Sequence, residues 1–108
     1  MPNPTTPPLK VDLGQHVYVT EGVRRRMTGE YMHECLARHA LGDWGVCDAH
    51  DTEVNNRTLD APYAGRVLSA YPIDASKPCT GYGPNTLWII TEWHDGNRQT
   101  TLLLPDEY

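Results

Sequence analysis

Residues 87–104 read LWIITEWHDGNRQTTLLL, two runs rich in aliphatic, aromatic and β-branched side chains separated by His94-Asp95-Gly96-Asn97. Asp-Gly is favoured in the two-residue turn whose positive φ angles match the twist of paired strands, so the segment predicts a β-hairpin. Taking Asp95-Gly96 as the loop sets the register. Trp93 falls opposite Arg98, Thr91 opposite Thr100, Ile89 opposite Leu102 and Leu87 opposite Leu104, while Glu92 and Gln99 meet on the other face. Trp88, Ile90 and Leu103 make that second face apolar near the open end of the hairpin. Both faces need cover there, which places the hairpin inside a sheet and not at its edge.

The rest of the chain arranges itself around this hairpin. Residues 1–10, MPNPTTPPLK, carry four prolines and are expected to form an extended or disordered arm ahead of a single domain over residues 11–108. Alternation around Val17 and Val19 predicts a first strand ending near Thr20, which can cap a short helical turn through Val23 and Met27 with Arg24, Arg25 and Arg26 outward. A longer helix follows. Thr28 is its expected cap, Met32, Cys35, Leu36, His39 and Ala40 form one apolar stripe, and Gly42 stops it before an Asp43-Trp44-Gly45 corner. A weaker helix is expected over residues 51–59 with Asp48 as cap. A strand over residues 66–73 then puts Val67, Ser69, Tyr71 and Ile73 on one face, and a long loop over residues 74–86 leads to the hairpin. The resulting fold class is α+β: an antiparallel meander of three C-terminal strands with an N-terminal strand added, and short helices on one face.

Composition removes several function classes. At 108 residues the chain has room for one core. Its net charge of −5 disfavours phosphate backbones as partners and leaves a protein surface as the expected contact. No run approaches the roughly 20 apolar residues of a membrane span, and MPNPTTPPLK lacks an apolar signal core, so the expected location is the cytoplasm. Cys35, Cys47 and Cys79 are odd in number, in keeping with reduced thiols.

Chemistry concentrates at RHALGDWG, residues 38–45. A histidine titrates near neutrality and a carboxylate can orient it, so His39 with Asp43 could serve as a general-base pair, and Arg66 could hold an anion. The bland reading makes His39 a hydrogen-bonded core histidine and Trp44 a plug in the corner, and it is the one favoured here, since one His-Asp spacing specifies little. A second constellation comprises Cys35 and His39, four apart on a helix, with Cys47 and His50 after the corner. These are four nominal zinc ligands whose spacing differs from paired Cys-x2-Cys ribbons, so no cofactor is expected and zinc is the minor reading.

His39 followed by Gly42-Asp43-Trp44-Gly45, Asn55, Arg66 with Ser69-Ala70-Tyr71, then residues 87–92 and 100–108 resemble a family of small "plasmid-related" proteins of bacterial plasmids and integrative elements. The resemblance brings no established activity with it. It implies an accessory role for a mobile element, such as inhibition of a CRISPR-type defence, and the expected function is non-enzymatic protein binding. The expected contact residues are Arg38, His39, Asp43, Trp44, Asn55 and Arg66, or else the acidic exterior is the contact surface. A strand, helices and a three-stranded meander are also similar to small ribonuclease toxins of the RelE kind, in which His39 would be the base and Arg66 the phosphate clamp.

Overall fold

The computed structural model describes residues 8–108, so the proline arm of residues 1–7 lies outside the described residues. Strand β1 (His16–Val19) leads into helices α1 (Glu21–Arg26), α2 (Gly29–Ala40) and α3 (Ala49–Thr58), and then strands β2 (Ala64–Pro72), β3 (Thr86–His94) and β4 (Asn97–Leu103). A 3₁₀ turn, Pro105–Glu107, follows. Each helix starts where a short polar side chain can satisfy an orphan amide: Thr20 accepts from Val23 N, Thr28 from Tyr31 N and Asp48 from Asp51 N. Lys10 N and Val11 N both donate to Ala40 O, at 2.8 and 3.0 Å, which joins the chain to the end of α2 from residue 10 onward.

The hairpin has the expected register: Trp93 pairs with Arg98, Thr91 with Thr100, and Ile89 with Leu102. Its turn residues Asp95 and Gly96 both have positive φ, 49° and 82°. Pairing ends at Trp88 and Leu103, one step short of the expected Leu87–Leu104 pair, because Leu104 turns into Pro105.

The sheet order is β1-β4-β3-β2, with the hairpin strands central. One correction is needed: β1 runs parallel to β4, so the sheet is mixed and not a pure antiparallel meander. The reason lies in the connection. A helical crossover returns the chain to the end from which β1 started, so β1 and β2 run the same way, and β4, two places from β2 in the sheet, shares that direction.

Odd-numbered residues of β2 and β3 face the helices and form two apolar clusters. Val23, Met27 and Cys35 pack on Tyr71, Leu87, Ile89 and Leu102 in the first. Val11 and Trp44 pack on Val67 and Trp93 in the second. The opposite face is covered near the open end of the hairpin. There Trp88 Nε1 donates to Gly81 O in the loop before β3, and the Trp88 ring meets Tyr108 edge to face at 5.9 Å. That loop is closed by Asn85, whose side chain donates to the carbonyls of Asp74, Lys77 and Pro78.

Candidate functional site

His39 emerges from the apolar stripe of α2 and is fully buried between the two clusters. Its Nδ1 lies 2.5 Å from Ser69 Oγ and its Nε2 lies 2.9 Å from Thr91 Oγ1. Thr91 Oγ1 is 2.7 Å from Thr100 Oγ1, which donates to Leu13 O at 2.8 Å. A carbonyl can only accept, so the chain's far end assigns every proton. Thr100 spends its hydroxyl proton on Leu13, Thr91 therefore donates to Thr100, and His39 Nε2–H donates to Thr91. Nδ1 is left bare to accept from Ser69. Burial pushes the His39 pKa down from 6.5 to about 4, and no acid lies beside the ring to offset it. Among the described residues, no buried side-chain nitrogen or oxygen lacks a partner.

This arrangement corrects the general-base reading of His39. Asp43 does not orient it: the carboxylate takes Arg38 Nε at 2.7 Å and Arg38 Nη2 at 3.3 Å, and also accepts from Gly45 N at 3.1 Å. The Arg38 guanidinium beside it holds the Asp43 carboxyl below its ordinary range. Arg66 is on the opposite face of β2 from Tyr71, whereas Arg38 stacks on the Tyr71 ring at 4.7 Å. Five residues of strand span about 16 Å, so Arg66 cannot share a site with Arg38 and Asp43. No substrate reaches Ser69 or His39, both fully buried, and a ribonuclease built on His39 and Arg66 has neither an accessible base nor a joint site.

The corner itself fastens α2 to the sheet. Val46 N donates to Ala70 O and Ala70 N to Trp44 O, a parallel bridge centred on Gly45 and Ala70. A Cβ on Gly45, whose φ is +71°, would lie 1.9 Å from Ala70 O, so only glycine lets the two backbones meet. Tyr71 Oη donates to Asp43 O, and Trp44 Nε1 donates to Asn56 Oδ1 at 2.9 Å. Asn55, buried, donates to Leu68 O at 2.7 Å and accepts from Leu68 N at 3.1 Å, completing the outer edge of β2 as a neighbouring strand would. Of the expected contact residues, His39, Trp44 and Asn55 are therefore interior. Arg38 and Asp43 are half exposed but spent on each other, and Arg66 is exposed on another face.

The nominal zinc ligands are not assembled either. Both ring nitrogens of His39 are engaged by hydroxyls, and Cys47 Sγ donates to Leu68 O at 3.3 Å. Burial pushes the Cys47 thiol up to about 11 and raises that of Cys35, so both stay protonated near neutrality. Among the described residues there is no group of three or more His, Cys, Asp or Glu side chains placed to hold a metal.

What remains open is the face of the sheet away from the helices, at the turn end of the hairpin. His16, Gln99, Glu92 and Arg66 occupy one register row across all four strands. They line a groove of about 540 Å³ together with His94 and Asn97. Gln99 Nε2 donates to Glu92 Oε1 at 3.2 Å, and the Arg66 guanidinium stacks on Tyr108 at 4.8 Å. Beneath the groove, Arg98 stacks on Trp93 at 4.3 Å and Trp93 Nε1 donates to Ala61 O, which stiffens the hairpin tip. Sequence reading found Arg66 but missed His16, Glu92, His94 and Gln99 as one surface. The register implied Glu92 beside Gln99; the parallel placement of β1, which brings His16 into the row, had no local signal.

Fold and surface together define a small α+β protein with a helix-backed mixed sheet and one open face. Comparison with protein-family models, curated proteins and solved structures finds no match. Among the described residues, no helix is long and apolar enough to cross a membrane.

Proposed function

We propose that this chain is a non-enzymatic binding protein whose contact surface is the open sheet face around Arg66, Glu92, Gln99 and His16. The observation that carries the reading is that four exposed polar side chains share one register row beside a groove of about 540 Å³, while the buried histidine is sealed inside the core. The partner we favour is a protein. The row presents one cation, one anion and an amide, which suits the mixed polar rim of a protein surface, and the net charge of −5 opposes a polyanion. Resemblance to plasmid-related proteins supports assigning this binding to an accessory role on a mobile element, with occlusion of a host defence protein as the favoured form.

The test uses a photocrosslinking residue in place of Gln99, and in a second preparation in place of Arg24 on the helical side. Both are exposed to host lysate and the adducts identified by mass spectrometry. The reading expects one protein crosslinked from position 99, absent from position 24, and lost in an Arg66→Glu, Glu92→Lys double variant. Equal labelling from both positions, or nucleic acid as the adduct, would overturn it.

A further inference from the structure

The two edges of the sheet are treated differently. On β2 the outward backbone groups of Leu68 and Ala70 are taken by Asn55 and by the Trp44–Val46 segment. Among the described residues none takes those of β1: β1 ends the strand order, and the one isolated bridge outside the named strands is at β2. Which groups are bare follows from the ladder. Thr20 N donates to Leu102 O while Val19 is the register partner of Leu102. In a parallel ladder this turns the even-numbered residues of β1 toward β4, so the N–H and C=O of Val17 and Val19 point outward.

Nothing in the sequence of β1 guards this edge. Sheet edges are ordinarily blunted by lysine, proline, a bulge or an inward charge, and HVYV has none of these. Val17 and Tyr18 are 43% and 49% exposed. Residues 13–20, LGQHVYVT, carry no Asp, Glu, Lys or Arg in a chain of net charge −5. This uncharged stretch lets an equally acidic body approach without repulsion along its length. Of the acids at its ends, Glu21 is paired with Arg25 at 3.3 Å, and the Asp12 carboxylate accepts from Gly14 N at 2.9 Å.

We propose that β1 pairs with β1 of a second copy, antiparallel about a two-fold axis through Val17, joining two four-stranded sheets into one. The geometry is self-complementary. Val17 of each copy exchanges both backbone hydrogen bonds with Val17 of the other, and Val19 does the same with residue 15. His16 then stands across from Tyr18 of the second copy in the close, non-hydrogen-bonded position. These two rings already stack within one chain at 5.9 Å and 27°, so each pair meets its counterpart on the open face. The helical faces continue one another, and the half-exposed Val17 side chains cover each other. This pairing shares Gln15 and His16 with the groove, but Arg66 and Glu92, on β2 and β3, take no part in the seam.

Sedimentation equilibrium across the micromolar to millimolar range tests it, with amide hydrogen exchange read residue by residue. The expected result is a mass rising toward twice that of the chain, with the Val17 and Val19 amides exchanging fast in dilute protein and becoming protected as dimer forms. The Tyr18 and Thr20 amides, already bonded to β4, are protected throughout. Val17→Lys, at an exposed position, should abolish the rise while leaving the unfolding transition in place. Val17→Pro, which removes an outward N–H and no hydrogen bond to β4, should weaken it at least about tenfold. Arg66→Glu should leave it unchanged. A monomer at every concentration refutes the proposal, and so does a dimer that survives Val17→Lys or leaves the Val17 and Val19 amides unprotected, which would put the interface elsewhere.

Discussion

Mild acid should destabilise this protein through one buried side chain, and the size of the effect follows from the His39 network. In the folded chain the ring is held neutral with a pKa of about 4, against 6.5 when unfolded. The unfolded state therefore binds the extra proton first. Stability is greatest above pH 6.5, falls as the pH drops below that value, and stops falling from this cause below about 4. The difference of roughly 2.5 pKa values sets a ceiling of about 3 kcal/mol, of which about 2 kcal/mol is lost by pH 5. Carboxylates held low by their partners, such as Asp43 beside Arg38, stabilise above their unfolded values and lose this only at lower pH, so the window from 7 to 5 isolates the imidazole. Urea unfolding at both pH values should show the loss in wild type and its near absence in His39→Gln, which retains a donor for Thr91 and an acceptor for Ser69. Nitrogen NMR should find the proton on Nε2 at pH 7. A ring titrating near 6.5, a proton on Nδ1, or an equal acid loss in His39→Gln would refute the sealed, directionally ordered chain of hydroxyls.

Three further outcomes are expected. Gly45→Ala should cost about 3 kcal/mol or more in urea unfolding, since it forces an L side chain to φ +71° and breaks the bridge to Ala70, whereas Gly29→Ala, where an added Cβ meets nothing within 4 Å, should stay within about 0.5 kcal/mol of wild type or gain. Asn55→Ala should cost about 2–3 kcal/mol and expose the Leu68 amide to fast hydrogen exchange, because Leu68 N loses its acceptor and Leu68 O keeps only the weak Cys47 thiol as donor. Asp43→Asn should cost no more than about 1 kcal/mol by the same unfolding measurement, its ion pair with Arg38 being 43% and 49% exposed.

The fold was legible wherever local chemistry decides it. Asp95-Gly96 gave both the turn and the register, and Thr20, Thr28 and Asp48 marked three helix starts within a residue or two. The orientation of β1 was not legible, since a four-residue strand carries no sign of whether its partner runs with or against it. The role of RHALGDWG was half legible. His39 on an apolar stripe announced burial, and Ser69, Thr91 and Thr100 all fell on helix-facing positions of the predicted strands. Polar side chains gathered on a buried face imply a shared hydrogen-bonded network, and that signal was present in the pattern. Asp43 misled because proximity in sequence to His39 is not proximity in space: the helix end turns the carboxylate toward Arg38.

The position of β1 bears on how the molecule is made. Its neighbour β4 lies some eighty residues further along, and Thr20 and Gly22 are held by Glu107 from equally far away. On the ribosome the first strand must wait for β4 to emerge, and contacts closed over such spans form slowly. Newly synthesised copies crowded on one message would therefore present sticky segments to each other before any could fold shut, so yield on overexpression should depend on temperature and chaperone supply more than the finished protein's stability would suggest.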